Sequence, residues 1–445
     1  MSFNWNEEYK KKLVTADEAA KLVKSGDWIE YAFGVSGSYA FDEALSKRKN
    51  ELKDIKIRTA LALYKHFTLE ADPNEETFTW NSWHASGLDK NWIDKGLYYT
   101  PMKFFEYPRM IKNNCIPNNI FVIQVSPMDK HGYFSWGINT SGSMACYESS
   151  ACCILEVNKN QPRVLGGCQE CIHITQVDYI IESTIAVPTL TPATPGEVDL
   201  KIARHIINRL RDRCCIQLGI GKVPDAVGSM IAASDLKDLG VHTEMYADAY
   251  LKMYKAGKIT GKYKSIDKYK QVYSFAYGSQ ELYDYIDDNQ GLMSYNVDYT
   301  NDPAIIASID DFVAINACIE VDLFGQVCSE SIGTRHVSGT GGQLDFVEGA
   351  YRSKGGQAFV CTPSVKTLKD GTKVSSIVPI LTPGAIVTCP RMATHLIATE
   401  YGVADLKGKS TWERAEVLID VAHQDFRDEL IKQATINNIW RKSNK

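Results

Sequence analysis

No apolar run in this chain approaches the ~18 residues of a membrane span. The opening stretch, MSFNWNEEYKKK, has neither an apolar segment nor a cleavage pattern, so secretion is not expected and a cytoplasmic location is. No block of like charge stands out: 49 basic residues face 54 acidic ones, for a formal net charge of -5. Nucleic acid and membranes are therefore not expected as partners. The 12 cysteines form no regularly spaced framework. They fall mostly in apolar, strand-like stretches, among them the pairs Cys152-Cys153 and Cys214-Cys215, and read as reduced thiols. Cys168-Gln169-Glu170-Cys171 has CxxC spacing, but neither a second ligand pair for zinc nor a thioredoxin-like strand–helix turn is evident. We read that pair as structural or incidental. No His/Ser/Asp order marks a serine hydrolase. His131, in Asp129-Lys130-His131-Gly132, reads as a turn residue rather than a proton carrier.

What is present is alternation. Helical patterns at Ala16–Ser25 and Phe41–Lys47 interleave with strand-like ones at Trp28–Phe33 and Ile55–Leu63. Further strand-like stretches are Ile120–Val125, Cys152–Val157 and Tyr179–Glu182. This predicts an α/β fold with mainly parallel sheets. The 445 residues suffice for two or three domains. Three prolines and a glycine within Pro188–Gly196 fit neither helix nor central strand. We place a linker at 188–197, an N-terminal domain at 1–187 and a C-terminal domain at 198–445. After the linker the opening pattern of helix, strand, glycine turn and helix recurs, with a helix over Val198–Asp212 and a strand into Gly219-Ile220-Gly221. Two tandem domains of similar build are expected, with function between them.

Four segments carry candidate chemistry. Gly219-Ile220-Gly221-Lys222-Val223-Pro224 reads as a strand ending in glycine and opening onto a helix, where backbone N–H groups can face an anion or acyl oxygen. The next predicted strand ends at Glu244, a nucleophile candidate beside that turn. Ser338-Gly339-Thr340-Gly341-Gly342-Gln343, between a strand-like Arg335–Val337 and a helical Leu344–Ser353, is a second glycine nest. Asn316, Glu320 and Asp322 punctuate an apolar strand pattern; they border a ligand crevice or face solvent on an edge. The first turn also approximates a dinucleotide fingerprint, with Glu244 where a ribose-binding carboxylate would fall. A nicotinamide-dependent dehydrogenase is thus the competing enzyme, although Pro224-Asp225 occupies the zone of the third glycine. A non-catalytic CoA or nucleotide sensor is the competing binder.

In combination these segments are specific. Gln217–Gly221, Leu239–Met245, Ile319–Leu323, Gly339–Asp345 and Thr399-Glu400-Tyr401-Gly402-Val403-Ala404-Asp405-Leu406 resemble the acetyl-CoA hydrolase/transferase family, in the same order. Asn81-Ser82-Trp83-His84 and Ser126–Gly132 extend the likeness through the first half, and it is nearest to the butyryl-CoA:acetate and 4-hydroxybutyrate CoA-transferases. The resemblance implies two CoA-transferase-type α/β domains with the active site in the cleft between them. It implies that Glu244 becomes a glutamyl-CoA thioester, and that Gly339, Gly341, Gly342 and Gln343 help hold the acyl oxyanion. Gly219, Ile220, Gly221, Lys222, Val223, Ile319 and Gly342 would contact coenzyme A. Lys222 and Cys318 depart from the smaller residues common at those positions in the family. The implied activity is ping-pong CoA transfer from a short-chain acyl-CoA, butyryl-CoA first, to acetate. 4-Hydroxybutyrate activation or acyl-CoA hydrolysis at the same site is the alternative. Coenzyme A enters as co-substrate, with no metal and no permanently bound cofactor. Family habit implies a homo-oligomer.

Overall fold

The computed structural model describes residues 4–113, 115, 117–191 and 194–443. The chain forms two compact units, each an α/β layer structure. Unit 1 comprises Met1–Thr191 and Val272–Thr300, and unit 2 comprises Pro192–Gln271 and Asn301–Lys445. The segment Val272–Thr300, placed by the sequence in the second domain, clusters with the first unit. In the expected linker, Pro192 and Ala193 lie outside the described residues; 188–191 and 194–196 carry neither helix nor strand.

Unit 1 is built on a seven-stranded sheet in the order Leu97–Tyr99, Phe78–Ser82, Ile55–Thr59, Trp28–Tyr31, Ile120–Val125, Cys152–Asn158, Tyr179–Ser183. Every pairing in it is parallel. Parallel strands are covered on both faces, which is why Ile120–Val125 is a continuous apolar run and buried throughout. Ile29, Tyr31, Ile57, Phe78, Trp80 and Val122 join one core cluster beneath it. Phe78–Ser82 and Leu97–Tyr99 have no counterpart among the expected strands; threonine, asparagine and serine dilute the first, and the second is only 3 residues long.

Unit 2 repeats the topology. Six strands of its main sheet lie in the order Gly240–Tyr246, Cys215–Leu218, Phe312–Ala317, Gln357–Cys361, Leu396–Thr399, Gly402–Asp405. The last pairing is antiparallel, whereas Cys215–Leu218, Phe312–Ala317, Gln357–Cys361 and Leu396–Thr399 run parallel. In both units the first strand is central, the next strand in sequence pairs on one side and a later one on the other. That reversal of strand order is a topological switch point, the place in open α/β sheets where ligands bind beyond the carboxyl ends of strands. The helix expected over Val198–Asp212 is shorter, Glu197–Ile207. It is closed by a tight turn in which Arg209 and Leu210 donate to the carbonyls of Ile206 and Ile207. Among the described residues no helix is long and apolar enough to cross a membrane.

Candidate active site

At the switch point of unit 2, two chain segments emerge side by side. After Cys215–Leu218 comes Gly219-Ile220-Gly221, which opens onto the 12-residue helix Lys222–Ala233. After Phe312–Ala317 comes Cys318-Ile319. Gly219 is required by proximity: a Cβ there would stand 2.9 Å from Asn316 Oδ1. Asn316 is itself fixed by a reciprocal amide pair with Gln217, each Nε2 or Nδ2 donating to the other's oxygen at 3.2 Å. Gly221 has φ of 130°, a region open to glycine, and caps the helix with no side-chain hydrogen bond. Ile220 is 48% exposed, Lys222 is exposed, and Val223 and Pro224 are buried in the first helical turn. The turn therefore presents an uncapped helix N-terminus, as an anion- or acyl-binding turn would.

Glu244 stands on the neighbouring strand. That strand does not end at the carboxylate but continues through Met245 and Tyr246, because both of those side chains are buried. Asn301 Nδ2 donates to Glu244 Oε2 at 2.6 Å, and the backbone N–H of Gly342 donates to the same carboxylate. Burial pushes the Glu244 carboxyl up to about 7, against the pull of these two donors toward lower values. Gly342 has no alternative, since a Cβ there would collide with Glu244 Oε2 and Asn301 Nδ2. It caps the helix Gln343–Arg352, and Gly341 before it has φ of 52°. The second glycine nest thus meets the carboxylate through Gly342. A buried amide hydrogen-bond donor, Gln343 Nε2, follows directly and has no hydrogen-bond partner among the described residues.

Asn301 has no local signal in the sequence. It lies 57 residues from Glu244, and Asn301-Asp302-Pro303 marks only a helix start, with Asp302 accepting from the Ala304 N–H at 2.7 Å. The three polar residues of the strand pattern do not face solvent on an edge; Asn316, Glu320 and Asp322 are all buried. Glu320 takes the N–H and hydroxyl of Thr382, both at 2.8 Å, and Asp322 organises the turn to Gln326. Ile319 is half-buried, and its carbonyl accepts from Lys366 Nζ.

Other candidates fall away on geometry. His131 is a turn residue whose N–H donates to Asp129 Oδ1 at 2.8 Å. Cys171 sits on a strand paired with Tyr133–Ser135, and burial pushes its thiol up to about 11, away from the reactive thiolate.

Comparison with known proteins places the chain among the CoA-transferases. It is 66% identical over 440 residues, covering 99% of this chain and 98% of the other, to the probable butyrate:acetyl-CoA coenzyme A-transferase of Syntrophomonas wolfei. It is 50% identical to the butyryl-CoA:acetate CoA-transferase of Anaerostipes caccae, over the full length of both. The crystal structure of RipA from Yersinia pestis superposes with a TM-score of 0.90 at 33% identity, covering 98% of this chain and 100% of that one. The N-terminal domain model of the acetyl-CoA hydrolase/transferase family matches residues 2–191 and its C-terminal domain model residues 278–434. The chain belongs to that family.

Proposed function

We propose that this CoA-transferase moves CoA from butyryl-CoA to acetate by a ping-pong route through a glutamyl-CoA thioester on Glu244. The observation that carries this reading is the state of that carboxylate. It is partly exposed, held on Oε2 by Asn301, and titrates near neutrality, so it is ionised and reactive at slightly alkaline pH.

Oε1 attacks the thioester carbonyl and expels the CoA thiolate, leaving an acyl–glutamyl anhydride. The thiolate attacks the glutamyl carbonyl and releases butyrate, which keeps the bridging oxygen. Acetate then attacks the glutamyl thioester, the thiolate leaves again, and its attack on the acetyl carbonyl gives acetyl-CoA and free Glu244. One thioester replaces another, so no external energy source is consumed. When the glutamyl carbon becomes tetrahedral, the developing oxyanion meets the donors already on the carboxylate, Asn301 on Oε2 and the Gly342 N–H; preorganised donors of this kind are worth roughly 3–4 kcal/mol each. Gly341 and Gln343 complete the acyl-binding loop with Gly339. Gly219 to Val223 and Ile319, at the switch point, receive CoA, and remote binding energy from its nucleotide end drives the reacting centre forward.

Initial rates over a grid of butyryl-CoA and acetate concentrations test the scheme. Parallel double-reciprocal lines are expected; intersecting lines would replace it with a ternary-complex mechanism. Running propionyl-, crotonyl- and 4-hydroxybutyryl-CoA in the same assay ranks the acyl donors, with butyryl-CoA expected to give the highest kcat/KM.

A further inference from the structure

We propose that Glu330, through Thr340 and Thr388, is a positioning residue that sets where the Gly342 N–H meets the nucleophile. This inference rests on the reading of Glu244 above.

Gly339-Thr340-Gly341-Gly342 has one side chain beyond hydrogen, and glycine-rich backbone gives up the most conformational freedom on ordering. The one side chain is tied down. Thr340 Oγ1 donates to Glu330 Oε2 at 3.2 Å. Glu330 is only 3% exposed, and its other oxygen accepts from Thr388 Oγ1 at 3.0 Å. Thr388 is buried as well, accepts from the Ser329 N–H at 2.9 Å, and donates its own N–H to Val327 O at 2.8 Å. The main chain of Glu330 joins in: its carbonyl accepts from the N–H of Val337 at 2.8 Å and of Ser338 at 3.2 Å, just ahead of the glycines. A buried carboxylate is costly unless its oxygens are bonded. Here the bonds run from the backbone of Val327 and Ser329 at one end to the residue two before Gly342 at the other. Since Gly342 cannot carry a Cβ without collision, its backbone has little tolerance for drift. Misplacement on the order of 1 Å at a reacting centre costs about 100-fold in rate.

The test uses Thr340→Val and Thr388→Val, which keep side-chain volume and remove one hydroxyl each, with Thr340→Ser as the rescuing variant. Butyryl-CoA and acetate are the substrates and kcat, KM and the pH profile are the readouts. For Thr340→Val we expect kcat to fall roughly 10- to 100-fold with KM for butyryl-CoA within about twofold. The acidic limb should move to higher pH as the Gly342 N–H withdraws, and Thr340→Ser should restore both. A folded Thr340→Val with wild-type kcat and limb overturns the proposal. So does a loss of thermal stability with kcat per folded molecule and the limb unchanged, which is a structural role only. Should Thr340→Val not fold, the same readouts on Thr388→Val decide in the same way. The wild type separates the two claims: a CoA adduct on Glu244 with unchanged variants sinks only the positioning role, whereas no wild-type adduct sinks the nucleophile reading itself.

Discussion

Each unit places a glutamate fifth in a seven-residue strand: Glu156 in Cys152–Asn158 and Glu244 in Gly240–Tyr246. Their fates differ. Glu156 is fully buried and is consumed by its own unit. It accepts from Ser38 Oγ and the N–H groups of Tyr39 and Ala40, all within 3.2 Å, and so fills the start of the helix Ala40–Ser46. The turn before that helix is sealed too. The Val35 carbonyl takes Gln161 Nε2 at 2.7 Å and Tyr64 OH at 3.1 Å, and the Gly37 carbonyl takes Gln124 Nε2 at 2.6 Å. In unit 2 the turn at the same topological position is uncapped, and the carboxylate beside it keeps solvent access. The same architecture thus appears twice, once with an internal carboxyl group at the helix start and once with that position open.

The largest effect that sharpens this contrast is on chemistry. Glu244→Gln should lower transfer at least ~1,000-fold, as nucleophile removal does, while circular dichroism stays that of the wild type. Gly342→Ala should follow, with kcat down about 100-fold because its Cβ would collide with the carboxylate and Asn301; steady-state rates check it.

Stability supplies the next test. Because Glu244 is raised from 4.5 to about 7, the folded protein holds this proton where the unfolded chain has released it. Its contribution is therefore fullest below about pH 4.5, is lost as pH rises toward 7, and stays lost above that. The difference is on the order of 3 kcal/mol. Glu244→Gln should accordingly be more stable than the wild type at pH 8, with the gain vanishing near pH 4.5, by denaturant titration at both pH values. Glu156→Ala should do the opposite at pH 8 and cost about 1–3 kcal/mol, since the buried N–H groups of Tyr39 and Ala40 lose their acceptor. Smallest is the paired change at the two turns. Val35→Ala, in the sealed turn where Val35 is 2% exposed, should lower stability by roughly 1–3 kcal/mol with KM unmoved. Ile220→Ala, in the open turn, should leave stability within about 0.5 kcal/mol and raise KM for butyryl-CoA a few-fold.

Much of this was legible in the sequence because it is local. Alternating apolar segments marked the central strands, and Ile120–Val125 has the same bounds in the structure. Both glycine turns stand between a strand and a helix, as their residues require. Glu244 is found bonded to the second of them, a meeting that the order of segments suggested but spacing alone did not. Asn301 and Glu330 were not legible. Their partners lie 57 and 58 residues away in Glu244 and Thr388, and no periodicity links residues brought together by sheet order. The return of Val272–Thr300 to unit 1 was hidden for the same reason, since no composition shift marks either crossing.

The most direct test of the central claim is an intact mass spectrum of the protein after butyryl-CoA is added without acceptor, alongside Glu244→Gln. The account predicts an adduct of the mass of CoA, less water, on the wild type alone. It would be contradicted by the same adduct on Glu244→Gln, or by an unmodified wild type that turns over butyryl-CoA and acetate under the same conditions.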